Sequence, residues 1–169
     1  MIKLKRAKVD ALYGKKKHFN AADRIEKYHY GLGVPLVILN ILTGSVIFYV
    51  VTSTPSSWTK YTPLALALVA ALLGGLQTFF NFPRRVEGHR RIGNKYLSIM
   101  KKCDRIQGYI SDNLLTNEEF VSNLETIAKD VDSINQEAEG YPTNANDYKK
   151  SQEGVTSGEE DYTDEELEL

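Results

Sequence analysis

The chain has 169 residues, 42% of them hydrophobic and 25% charged, with a formal net charge of -1. That near-neutral balance leaves no overall basic footprint for a nucleic-acid partner. The single cysteine, Cys103, excludes an intrachain disulfide and any cysteine-rich metal cluster.

Residues 1–30 form a basic segment with nine Lys/Arg against three acids. Lys3, Lys5, Arg6, Lys8, Lys15, Lys16 and Lys17 show little periodicity. Asn20 with Asp23 has the spacing to cap a short helix carrying Phe19, Ala22, Ile25 and Tyr28. The plain reading of this block is positive charge beside a membrane, in contact with anionic lipid. A nucleic-acid arm is the sharper alternative, and no direct nucleic-acid binding is expected.

Residues 31–51 (GLGVPLVILNILTGSVIFYVV) and 62–82 (TPLALALVAALLGGLQTFFNF) are 21 residues each and contain no Asp, Glu, Lys or Arg. As helices, each is roughly 30 Å long, the thickness of a hydrocarbon core. The pair predicts two transmembrane helices joined by a short loop, 52–61, whose one basic residue is Lys60. A buried helical hairpin of a soluble core is the competing reading, which two uncharged runs in immediate succession argue against. Basic residues flank the other ends of both spans, so the Lys/Arg bias places both termini in the cytoplasm and the loop outside, in a cell (inner) membrane. Tyr28, Tyr30 and Phe82 mark the inner boundary; Tyr49, Trp58 and Tyr61 mark the outer.

Pro35 falls in the opening turns of the first span, where a missing N–H costs little. Gly33, Val37, Asn40, Gly44, Ile47 and Val51 share one face of it. In the second span, Ala67, Ala70, Ala71, Gly74, Gln77, Thr78 and Asn81 cover one side, and Val69, Leu72, Leu73, Leu76 and Phe80 the other. The bulky side suits lipid. The small and polar side suits helix contacts, because small residues let backbones approach and amides bond across. Asn40, Gly44, Gly74, Gln77 and Asn81 are therefore candidates for a helix interface or a pore lining, with Arg84 and Arg85 at its inner mouth. Packing within the hairpin alone is the plainer alternative.

After Pro83, His89, Ile92, Tyr96, Ile99, Cys103, Ile106 and Ile110 keep a 3-4 spacing, and so do Phe120, Leu124, Ile127, Val131, Ile134 and Ala138. Thr116 with Glu119 makes a capping box between them. The stripes predict an antiparallel helical hairpin over 83–139. His89 and Cys103 read as packing residues of that core. The three histidines, His18, His29 and His89, lie far apart in sequence and suggest no common site. Residues 140–157 hold a break at Gly140-Tyr141-Pro142 and one further short helix. Residues 158–169, with seven acids and no base, predict a disordered acidic tail. The fold class is thus an all-α membrane protein: a transmembrane hairpin, a cytoplasmic helical hairpin and a free tail. No phosphate loop, nucleophile elbow or metal-ligand spacing is present, so an enzyme, a cofactor and a metal are not expected.

The stretches HFNAADRIEKYHYGLGVPLVILNILTGSVIF and ALLGGLQTFFNFPRRVEGHRRIGNKYLSIMKKCDRI, the short outer loop and NANDYKKSQEG together resemble the SLATT proteins, two-transmembrane effectors associated with SMODS and SLOG systems in bacteria. The likeness runs over roughly 15–156. It implies an oligomeric membrane effector of an antiviral conflict system that forms a pore or disrupts the membrane when a partner sensor or nucleotide-signalling enzyme activates it. The family supplies no catalytic residues to carry over. The alternative is a membrane-anchored scaffold whose cytoplasmic helices recruit a soluble partner.

Overall fold

The structure, a computed structural model, describes residues 1–53, 56 and 58–163. Five helices follow one another: α1 (Ile2–Thr52), α2 (Thr62–Phe80), α3 (Phe82–Ser111), α4 (Asn117–Ala138) and α5 (Ala145–Thr156). No strand occurs among the described residues, in line with the all-α expectation. The chain packs as two units: Met1–Asp23 with Val86–Leu169, and Arg24–Arg85.

The helix boundaries follow local chemistry. At α4, the Thr116 hydroxyl accepts from the Glu119 N–H while the Glu119 carboxylate accepts from the Thr116 N–H, the reciprocal box expected from sequence. Asn144 and Asp147 repeat that device at α5. Residue Asn113, with φ of 55°, turns the chain between α3 and α4. The α2–α3 break is the single residue Asn81, left-handed at φ 44°, whose N–H still donates to the Gln77 carbonyl. Asparagine tolerates that region better than most residues.

The basic N-terminal segment departs from expectation. Asn20 and Asp23 cap nothing; they lie inside one continuous 51-residue helix, and Pro35 lies inside it too. The Asn20 amide instead donates to the Asp147 carbonyl and the Ser151 hydroxyl of α5, so tertiary bonding takes up the group that local capping would have used.

In the first unit, both expected stripes are buried. Ile92, Tyr96, Ile99, Cys103 and Ile106 of α3 meet Ile127 and Ile134 of α4, with Phe120, Leu124 and Val131 packed on them. Leu4 and Ala11 of α1 are in the same core, so the basic segment is a third wall of the bundle as well as a charged approach. Its buried row is Leu4, Ala11, Gly14, His18 and Ala21. Gly14 lets α1 close on α3: a Cβ there would sit 2.8 Å from the Tyr96 ring. At Gly88, a Cβ would fall within the Tyr141 ring. Ion pairs edge the core: Lys8 with Asp104 (2.5 Å), Lys102 with Asp130 (3.1 Å), and Arg91 with Glu137 (2.7 Å), which Lys95 also bonds. Exposed pairs of this kind contribute little to stability individually.

Histidines that sequence separation kept apart are joined here. His18 Nδ1 and His89 Nδ1 lie 3.0 Å apart, both side chains buried. Burial, the neighbouring His89 and then Lys17 lower the His18 pKa to about 4, with Asp147 acting the other way. Cys103 is buried as well, and that burial raises its thiol pKa, with Asp104 adding to the effect. A thiol so placed is unreactive.

The acidic stretch is anchored where it begins. Gly158–Asp161 forms a turn closed by the Asp161 N–H on the Gly158 carbonyl. Glu159 and Glu160 pair with Lys16 and Lys15, because two buried ammonium groups need counter-charges. The free-tail expectation is thus corrected for its first residues; for 164–169 it lies outside the described residues.

Two outcomes are expected. Gly88→Ala displaces the Tyr141 ring and costs about 1–3 kcal/mol; adding Tyr141→Ala removes most of that coupling in a double-mutant cycle read by thermal unfolding. His18 is neutral when folded, with its pKa near 4, and protonates near 6.5 when unfolded. Its neutral burial is fully tolerated above pH 6.5, and stability is lost as pH falls from there toward 4, by up to about 3 kcal/mol. Melting temperature in detergent should drop over that window, and drop less in His18→Asn.

Candidate functional site

The second unit is the apolar hairpin. An inward row on α1, Leu32, Gly33, Leu36, Leu39, Thr43 and Val46, is half-buried, and so are Leu66, Leu73, Gly74 and Gln77 of α2, where Ala70 is buried. Gly74 and Leu36 meet at van der Waals distance: a Cβ on Gly74 would lie 3.8 Å from Leu36. The small residues of α2 at 70 and 74 thus serve close approach between the two helices.

Almost everything else on the two spans faces outward. Ile41 (64% exposed), Phe48 (71%), Leu68 (63%) and Phe79 (80%) carry their apolar side chains on the outside. In the most apolar 18-residue windows of the two long helices, 0% and 6% of residues are buried. A core helix of a soluble protein is mostly covered; this surface is not, and at roughly 25 cal/mol per Å² its exposure to water is untenable. The helices are long and apolar enough to cross a membrane, and four hydroxyls along them bond back to their own helix. Thr43 donates to the Leu39 carbonyl, Ser45 to Ile41, Thr52 to Phe48 and Thr78 to Gly74. That is the internal satisfaction hydrocarbon requires.

The candidate residues separate into groups. Gln77 lies between the helices: its amide nitrogen is 3.3 Å from His29 Nδ1 and 3.2 Å from where a Cβ on Gly33 would be. Gly74 is beside it. Asn40 and Gly44 share the outer face of α1, both exposed, and a Cβ on Gly44 would meet nothing within 4 Å. Asn40 is mid-span, and its carboxamide has no hydrogen-bond partner among the described residues. Asn81 is exposed at the α2–α3 break, and Arg84 and Arg85 are exposed in the first turn of α3. Val37, Ile47 and Val51, expected on the Asn40 face, are outward too, whereas Gly33, expected with them, turns inward to Gln77. A recess of about 530 Å³ beside Arg85 is lined by Arg24, Lys27, Tyr28, Leu32, Phe80 and Phe82; its apolar floor and cationic rim suit a lipid headgroup region.

His29 is a member of this constellation that the sequence did not single out. Its spacing from Gly33 and Leu36 on the inward face of α1 was the available signal, hidden because His29 sits among the boundary aromatics Tyr28 and Tyr30. No group of three or more His, Cys, Asp or Glu that could hold a metal ion occurs among the described residues.

The SMODS and SLOG-associating 2TM effector domain family 4 matches residues 3–167. No curated protein and no solved structure matches the chain. The matched span takes in both apolar helices, the helical core and the acidic stretch, nearly the whole sequence. With its two long apolar helices and its helical first unit, the chain belongs to the SMODS and SLOG-associating 2TM effector domain family 4.

Proposed function

We propose that this protein is a non-enzymatic effector that assembles in the cell (inner) membrane and opens it when a partner signals, with both termini in the cytoplasm. The observation that carries the reading is Asn40. A carboxamide at mid-span, exposed and without a hydrogen-bond partner among the described residues, is costly in hydrocarbon. A second subunit relieves that cost, because asparagine bonds across helices, and the open position at Gly44 one turn away lets the helices close. Two helices cannot enclose a water-filled path, so conduction requires several copies.

Within such an assembly, Gly74 and Gln77 hold the hairpin together while Asn40 and Gly44 join subunits. Asn81, Arg84 and Arg85 stand at the inner mouth, where an arginine ring biases passage toward anions. The family's description as SMODS- and SLOG-associating supports a signalling or sensor protein as the activating partner. The well-packed first unit gives that partner a surface to engage, which also favours the second reading, a membrane-anchored scaffold.

Two measurements decide. In liposomes holding the purified protein and its activating partner, entrapped dye and ions should leak; retention of both under every activating condition, with the partner still bound, leaves the scaffold. Asn40→Leu should weaken subunit association in detergent by about 1 kcal/mol per contact, seen as a shift to smaller species in light scattering, whereas Gln77→Leu should leave the subunit number unchanged.

A further inference from the structure

The basic half of α1 and the start of the acidic stretch meet in an arrangement that membrane spanning does not use. Lys15 and Lys16 are buried, 8% and 9% exposed. Lys15 Nζ donates to both Glu160 carboxylate oxygens at 2.6 Å. Lys16 Nζ donates to Glu159 Oε2 at 2.5 Å and lies 3.4 Å from Glu160 Oε1. Burial alone raises the Glu160 carboxyl pKa, but Lys15 and Lys16 more than offset this and hold it below the ordinary range.

Around these pairs lies a cavity of about 590 Å³, walled also by Phe19, Leu97, Asn20, Ser157, Lys150 and Glu153. It is larger than two carboxylates need, and one wall is apolar. Gly154 of α5 is buried against it. A Cβ there would run into the Glu159 carboxylate and come within 2.8 Å of Lys16 Nζ, so the glycine lets the carboxylate and the ammonium group lie directly against the helix backbone. Two buried ammonium groups beside a close-lying helix backbone, with Phe19 and Leu97 adjoining, suit a phosphate monoester that carries a planar or apolar group.

We propose that Lys15 and Lys16 form a binding site for a small organic phosphate, its apolar part against Phe19 and Leu97, and that the chain's own Glu159 and Glu160 fill the site until such a ligand displaces them. The tethered carboxylates compete at an effective concentration in the millimolar range, so they set a threshold that the ligand must exceed. This inference stands whether or not the hairpin conducts.

The test uses the full chain in nanodiscs of phosphatidylcholine, titrated calorimetrically with phenyl phosphate and with inorganic phosphate. Saturable binding of phenyl phosphate is expected, weaker for inorganic phosphate. Glu159→Gln with Glu160→Gln should tighten both at least tenfold, and Phe19→Ala should weaken phenyl phosphate alone. Lys15→Gln with Lys16→Gln should abolish binding; if that variant does not fold, the tail variant and Phe19→Ala still decide. In the wild-type chain, phenyl phosphate should speed cleavage by a glutamate-specific protease at 159–160. A parallel arm replaces soluble phosphate with phosphatidic acid in the disc; tail release there, without binding of soluble phosphate, makes the ligand a lipid headgroup at the same lysines. Absence of saturable binding and of tail release in both arms, or affinities unmoved by the tail variant, overturns the proposal.

Discussion

The requirement that no backbone polar group meet hydrocarbon unpaired shapes the two apolar helices. It makes each uncharged stretch a helix and turns its hydroxyls back on their own carbonyls, as at Thr43, Ser45 and Thr78. It also removes the hydrophobic driving force between the helices, leaving close packing to hold them. Ala70 and Gly74 supply that packing, and Gln77 with His29 adds a polar contact at one end. Asn40 is the residue that breaks the rule on the outer face, and a broken rule of this kind points toward function.

How much of this was legible in the sequence depended on which residue types built each element. The α3 and α4 stripes are written in isoleucine, and both their helical form and their burial follow from spacing alone. The matching row on α1 runs Leu4, Ala7, Ala11, Gly14, His18 and Ala21 at the same 3-4 interval, yet small residues and a histidine do not register as hydrophobic. The lysines between them dominate the reading. Asn20 misled for a related reason. Asparagine before an apolar run looks like a cap, and only contact with α5 shows that its amide has another use. Of the candidate site, the two spans and their small faces were visible. Which small face met the partner helix and which stayed outside was not, because periodicity gives a face without naming its neighbour.

The first unit has a polar interior for its size. The His18–His89 pair, Asp147, Ser151 and the two lysines occupy positions that apolar residues would fill at lower cost. Their partners come from different elements: His89 of α3 for His18, Asn20 of α1 for Asp147 and Ser151, and the segment after α5 for Lys15 and Lys16. Such groups favour one packing arrangement, since a misplaced element leaves a buried charge or amide without its partner.

Helix α1 is shared by both packing units, and its first turns complete their core only against residues beyond 86. During synthesis, the ribosome delivers Leu4 and Ala11 long before Ile92 or Ile134 exists. The nascent N-terminal helix must wait, with its narrow row of alanine and glycine offering little for misassociation. Insertion of the hairpin then returns the chain to the side it left, near Asp23, which lies 3.8 Å from Arg90 across the finished junction. Closing a free loop the length of 24–85 costs on the order of 4 kcal/mol in chain entropy. A hairpin already threaded through a bilayer has met that cost before the helices beyond residue 86 begin to search, so a membrane would act as a folding template for the first unit.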